Sequence, residues 1–421
     1  WFARARAQFD GIRVAGTALS PASFAVKDFL AANQVPYQWL DLENDTTVRE
    51  LLSGASGGLT RDPVVFFSDG TMLVQPTTRE LAEKVGMQTR AKQPFYDLIV
   101  VGGGPAGLAA AVYGASEGLR TILVERSAPG GQAGSSSKIE NYLGFPSGIR
   151  GDDLARRAAD QAKRFKAEIL TPQEVVQIRR DDPYRKVVLS DGSELAGYAV
   201  LIAPGMEVRR LETEGVNELL GAGVYYGAAL TEAATYRGQD VCIVGGANSA
   251  GQGAMFFSRH ARKVTLLVRG PDLGAAMSRY LVDRIVETPN VEVLVNTTVA
   301  GVRGNGRLES VTVLDGVSGA RRELAAAGMF IFIGTAPRTA LVADVVQRDP
   351  QGFVLTGRDL MSDGNRPAGW TAARDPFPFE TSVPGIFCAG DARFGSGKRV
   401  ASAVGEGSAT VSMIHQYLRT V

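Results

Sequence analysis

The residues best equipped for chemistry are glycines. Gly102-Gly103-Gly104-Pro105-Ala106-Gly107 has the spacing GxGxxG. It follows the apolar run Asp97–Val101 and precedes an alanine-rich stretch, so it reads as the turn between a buried parallel strand and a helix. There Gly102 makes the tight turn, Gly104 lets the backbone approach a pyrophosphate, and Gly107 lets the helix pack closely on the strand. Pro105 and Ala106 open the helix, whose free N–H groups and positive dipole end favour phosphate. A second strand, Thr121–Val124, ends at Glu125, about twenty residues on, where a ribose hydroxyl needs an acceptor. The implied chemistry is the binding of a dinucleotide. The pattern recurs as the strand Val241–Val244, then Gly245-Gly246-Ala247-Asn248-Ser249-Ala250, a helix, and the strand Val264–Val268. Two such units imply two nucleotide-binding domains.

Other reactive groups are few. Cys242 and Cys388 are the only cysteines, and both lie on apolar strands, where they read as small buried hydrophobes. His260 and His415 are the only histidines, and no His/Cys cluster has metal-ligand spacing. No acid–base pair or nucleophile stands out, so no catalytic side chain is assigned and no metal is expected. That suits a protein whose cofactor carries the chemistry.

The elements that position these residues fall into three blocks. Residues 11–88 form a small α/β unit, with strands at Ile12–Gly16 and Tyr37–Leu42 and a helix at Ala22–Asn33. A short helix is expected at Thr46–Leu52. A hairpin crosses Asp69-Gly70 between Pro63–Ser68 and Thr71–Gln75, and a helix at Thr78–Val85 closes the unit. The first glycine loop lies in a block of residues 96–212, rejoined by 329–421, where apolar strands return. The second loop lies in 213–328. The fold class is therefore α/β: two Rossmann-like dinucleotide-binding domains behind a small α/β domain.

Composition excludes other classes. The net charge of +1 gives no nucleic-acid footprint. The 50 glycines are clustered, so they read as phosphate loops and turns and not as low complexity. No apolar run approaches the roughly 20 residues of a membrane span. Two cysteines in 421 residues do not make a disulfide framework, which makes a reducing cytoplasm the expected location. No signal peptide is visible. The chain opens on Trp1 and not on Met, so an upstream segment is left open.

Gly130-Gly131-Gln132 followed by Ile139-Glu140-Asn141-Tyr142-Leu143-Gly144-Phe145 resembles the FAD-contacting segment of the low-molecular-weight thioredoxin reductases. Gly385-Ile386-Phe387-Cys388-Ala389-Gly390-Asp391 resembles the second FAD motif of the wider pyridine nucleotide–disulfide oxidoreductases, whose aspartate bonds the ribityl chain. The stretch from Lys398, with Arg399 and Val400, resembles the segment whose backbone reaches the flavin ring. The likeness runs from about Tyr96 to the C-terminus and implies FAD at Gly102, Gly104, Pro105, Ala106, Gly107, Glu125, Gly131, Gln132, Asn141, Gly390, Asp391, Arg399 and Val400. One departure is Ala203-Pro204-Gly205, where the family reads Ala-Thr-Gly. It is expected to alter local packing without abolishing FAD binding.

The second loop then corresponds to the family's NAD(P)H site: Gly245, Ala247, Asn248, Ser249, Ala250 and Arg269. Ala247 replaces a glycine and narrows the approach to the pyrophosphate. Arg269 stands where the family begins a basic cluster for the 2′-phosphate, which favours NADPH over NADH. The family's Cys-x-x-Cys positions fall on Gly227 and Leu230, behind Gly223-Val224-Tyr225-Tyr226, so no dithiol can take electrons from a flavin there. The first block resembles glutaredoxin and thioredoxin folds, with Ser20 and Ser23 at the dithiol positions and Pro63 opening a later strand. Serine is a good N-cap, so that fold can persist without redox chemistry.

Together these likenesses imply an oxidoreductase that passes electrons from NADPH through FAD to an unidentified acceptor, a small molecule or a redox protein. Two alternatives stay open: a ferredoxin–NADP reductase-like enzyme and a non-catalytic flavin-bearing sensor or adaptor. A homodimer is expected from the resemblance.

Overall fold

The computed structural model describes residues 11–43, 62–136, 138–227 and 235–421. The expected helix at Thr46–Leu52 and the position of Leu230 lie outside them. By contact, the described residues divide into two units. One comprises Trp1–Leu30, Pro36–Pro76 and Val208–Thr335; the other comprises Ala31–Val35, Thr77–Glu207 and Ala336–Val421.

The chain begins with β1 (Ile12–Gly16), α1 (Pro21–Ala32) and β2 (Tyr37–Asp41), followed by β3 (Val64–Phe66) and β4 (Met72–Val74). The sheet order is β2-β1-β3-β4, with β2 parallel to β1 and the β3–β4 hairpin antiparallel to it. The hairpin turns at Asp69-Gly70 because Gly70 takes a positive φ of 82° and Asp69 accepts a bond from the Thr71 N–H. Ser20 caps α1 by accepting from the Ser23 N–H at 3.4 Å. Ser23 does not cap: its hydroxyl is buried and unpartnered. A capping box, Thr77 with Glu80, starts α2 (Thr78–Lys84).

The first glycine loop sits between β5 (Phe95–Val101) and α3 (Pro105–Ser116), ahead of β6 (Thr121–Val124). There follow a single turn α4 (Gly131–Gly134), then α5 (Gly151–Arg164), β7 (Glu168–Leu170), β8 (Val175–Asp181), β9 (Tyr184–Leu189), β10 (Glu194–Ile202) and the short β11 (Met206–Val208). Alternation along β5 divides its core. Leu98 and Val100 join helix residues such as Leu108 and Ala162, and Ile99 and Val101 join the opposite cluster with Ile178 and Val187. This is the two-sided burial that a continuous apolar strand requires.

The second loop sits in a five-stranded sheet, ordered β12-β19-β13-β14-β15 and parallel throughout. Its members are β12 (Val224–Tyr226), β13 (Asp240–Val244), β14 (Lys263–Leu267) and β15 (Val291–Leu294), with α6 (Asn248–Phe257) and α7 (Arg279–Val286) between them. An antiparallel trio, β16 (Thr297–Arg303), β17 (Ser310–Asp315) and β18 (Arg321–Ala325), precedes β19 (Gly328–Ile331). The chain then returns through β20 (Thr335–Pro337) to β21 (Ile386–Cys388), which pairs parallel with β10, and ends in α8 (Val400–Leu418). Both halves are thus Rossmann-like α/β sheets.

Candidate functional site

The first loop is built as its glycines demand. Gly102 has φ +106°, a conformation side chains resist, and a Cβ there would strike the Ala203 carbonyl. That places the Ala203-Pro204 departure against the phosphate turn, with the Pro204 Cα 3.1 Å from the same point. Gly107 has no room either, since a Cβ would run into the Gly102 carbonyl oxygen. Gly104 differs. It is the N-cap of α3, its backbone is one any residue adopts (φ −71°, ψ −177°), and a Cβ would meet no protein atom within 4 Å. Neither conformation nor protein packing asks for glycine there. An open cradle at an uncapped helix N-terminus suits close approach by a phosphate.

Glu125 is buried, and its carboxylate ties the loop down. One oxygen accepts from the Gly103 N–H at 2.7 Å and the other from the Ser127 N–H at 2.9 Å. Gly131 packs on this turn, its missing Cβ lying 3.1 Å from the Gly104 Cα. Gln132 donates to the Met206 carbonyl at 2.9 Å, and Asn141 is exposed. Pro105, Gly130, Tyr142, Phe145 and Val400 border one cavity of about 440 Å³.

Below this turn, Gly407 of α8 lies against the Ala106 carbonyl, leaving no space for a side chain. Gly390 packs on Ala106 as well, and its N–H donates to Glu406 at 2.7 Å. Glu406 also holds Arg393 in a half-buried ion pair at 2.7 Å. Sequence reading missed Glu406 because only the fold brings it to Gly390. Asp391 is half-buried, and its carboxylate accepts no hydrogen bond among the described residues. Burial raises its pKa above the usual carboxylate value, against the pull of Lys398. A ligand hydroxyl would supply what it lacks. Arg399 caps α8 with extended backbone and no side-chain bond, so the first N–H groups of α8 also have no side-chain cap.

In the second loop Gly245 has φ +143° and packs under the Phe332 carbonyl. Ala247 caps α6 with φ −107° and ψ −179°, and it is exposed together with Asn248 and Ser249. Ala250 is fully buried. The Asn248 side chain accepts from the Ser278 N–H at 2.8 Å. Arg269 is exposed, with no carboxylate partner among the described residues.

The two cysteines lie inside buried strands. Both are unpaired and buried, in different units. Burial pushes the Cys242 thiol up to about 12 and Cys388 upward too. Gly227 has φ +86° and open space where a side chain would begin. Tyr225, two residues before it, is core: it stacks on Phe330 at 5.4 Å, meets Phe24 of α1 edge-on at 5.3 Å, and receives the Tyr236 hydroxyl at 3.1 Å. Among the described residues there is no group of three or more His, Cys, Asp or Glu that would hold a metal, and no helix long and apolar enough to cross a membrane.

Residues 96–407, which contain both loops, match the family model of the pyridine nucleotide-disulphide oxidoreductases. The chain belongs to that family. Thioredoxin reductase of Bacillus subtilis is 34% identical over 78% of this chain and 96% of its own length. Two solved structures are similar: thioredoxin reductase of Lactococcus lactis, with a TM-score of 0.65 and 27% identity over 77% of this chain and all of that one, and the T. acidophilum enzyme, with 0.64 and 27% over 77% and 99%. This pyridine nucleotide-disulphide oxidoreductase is FAD-dependent and of the thioredoxin reductase type, and its family uses FAD and NADPH.

Proposed function

We propose that this chain passes electrons from NADPH through FAD to an acceptor that is not a disulfide. The supporting observation is a contrast. The FAD loop keeps its open cradle at Gly104, while the chain's only thiols, Cys242 and Cys388, are buried. When bound, a flavin supplies hydride acceptance from a nicotinamide and electron release in ones or twos. The protein's part is to bind and orient. Gly102, Gly104 and Gly107, with Gly131 beside them, hold the pyrophosphate. Glu125 is placed for the adenosine ribose and Asp391 for a chain hydroxyl. Gln132, Asn141, Arg399 and Val400 line the flavin side. Gly245, Ala247, Asn248, Ser249, Ala250 and Arg269 would receive NADPH.

Disulfide substrates of this type of enzyme are reached by exchange with a thiolate. A buried thiol whose pKa stands near 12 is not a thiolate at neutral pH. We read residues 11–88 as a thioredoxin-like domain without a dithiol, supported by the order β2-β1-β3-β4 and by serines at positions 20 and 23. The FAD-binding domain is then 96–212 with 329–421, and the NADPH domain is 213–328.

Anaerobic titration of the yellow holoprotein with NADPH and NADH in parallel tests this. NADPH is expected to bleach the flavin and to outperform NADH. Absence of bleaching with either nucleotide would favour a flavin-bearing sensor or adaptor.

A further inference from the structure

We infer that Arg279 is a second cation for the 2′-phosphate of NADPH, supplied from the start of α7 in place of the basic cluster missing after Arg269. This rests on reading Gly245–Ala250 as the NADPH loop. Arg269 is followed by Gly270-Pro271-Asp272-Leu273, which offers no further positive charge. A phosphomonoester carries nearly two negative charges and three acceptor oxygens at neutral pH, more than one guanidinium saturates.

The structure seats the residues around another arginine, Arg279, on the start of α6. Asn248, the first residue of α6, accepts from the Ser278 N–H at 2.8 Å. Gly251, on the next turn, is pressed by the same segment: a Cβ there would stand 2.8 Å from the Met277 Sδ and 2.7 Å from the Leu281 Cδ2. Residues on both sides of Arg279 are therefore seated on the first turns of α6. Arg279 itself follows the N-cap Ser278 and is exposed. It pairs with Asp283 at 2.9 Å, an i,i+4 pair with side chains 89% and 50% exposed. Such surface pairs hold weakly and exchange readily for a better anion. Two exposed arginines thus stand on segments next to the loop: Arg269, just after β14, and Arg279, whose neighbour Ser278 bonds Asn248.

Calorimetric titration of the flavin-loaded protein with NADP+ and NAD+ is the test. The parent should bind NADP+ more tightly. Arg279→Ala should weaken NADP+ about tenfold while leaving NAD+ unchanged, and Arg279→Lys should keep most of the affinity. Undiminished NADP+ binding by Arg279→Ala, or an equal loss with NAD+, would overturn the assignment while the NADPH reading stood. A parent indifferent between the two nucleotides would overturn both.

Discussion

The two glycine loops have nearly the same backbone and different tolerances. At the third motif position Gly104 (φ −71°, ψ −177°) and Ala247 (φ −107°, ψ −179°) are both extended N-caps of uncapped helices. At the sixth, Gly107 has no space for a Cβ, whereas Ala250 carries a methyl inside the core. The acid after the first loop is buried and bonded into it; the arginine after the second is exposed and has no carboxylate partner among the described residues. The lesson is that glycine at the third position is not required by the turn. The turn forms equally well around Ala247. What glycine preserves is access, and under the proposed assignment the protein keeps it where FAD would be held and relaxes it where NADPH would come and go.

The sharpest way to break this comparison is Gly104→Val. The fold should persist, because a side chain there meets only open space, but bound FAD should fall from about one per chain to near zero by absorbance. Full FAD occupancy in that variant would remove the argument for the cradle. The matching change in the second loop, Ala247→Val, should leave flavin content untouched. Next in size is Arg269→Ala. One charge-assisted contact is worth roughly 1.5–3 kcal/mol, so the preference for NADPH over NADH in stopped-flow reduction should drop by tenfold or more. Equal rates in the parent would show that the arginine serves another purpose. A smaller effect is expected from Ala247→Gly, which restores the open approach and should tighten NADPH a few-fold.

The smallest expected signal is from the thiols. Cys242 is raised to about 12 by burial, so it stays protonated throughout the neutral range and becomes reactive only as pH approaches that value or as the chain unfolds toward an ordinary thiol pKa. An aromatic disulfide reagent at pH 8 should therefore count no fast-reacting thiol in native protein and two after denaturation. Rapid native labelling would mean that a cysteine reaches solvent.

Much of this architecture is local enough to read from the chain. The apolar runs at β5, β6, β13 and β14, the glycine spacing and Asp69-Gly70 each have a short-range physical cause, and the structure has elements there. Gly102 and Glu125 fall around the first loop because strand–turn–helix geometry dictates it, whereas Gly390 is legible only through the family resemblance, since it reaches Ala106 by long-range packing. What stayed hidden depends on contacts far apart in sequence. Glu406 reaches Gly390 only through the packing of α8. Ser278 reaches Asn248 across 30 residues. Tyr225, which in the sequence only flanks the missing dithiol positions, lies in an aromatic cluster with Tyr236, Phe330 and Phe24. Ser23 reads as a cap, yet only Ser20 has the geometry.

The central claim is that reduced flavin here has no thiol route out. Steady-state oxidation of NADPH by the holoprotein should be supported by ferricyanide and not by thioredoxin or an aromatic disulfide, and Cys242→Ser and Cys388→Ser should leave the ferricyanide rate unchanged. Robust reduction of thioredoxin, abolished by either serine variant, would contradict the account and return a cysteine to the mechanism.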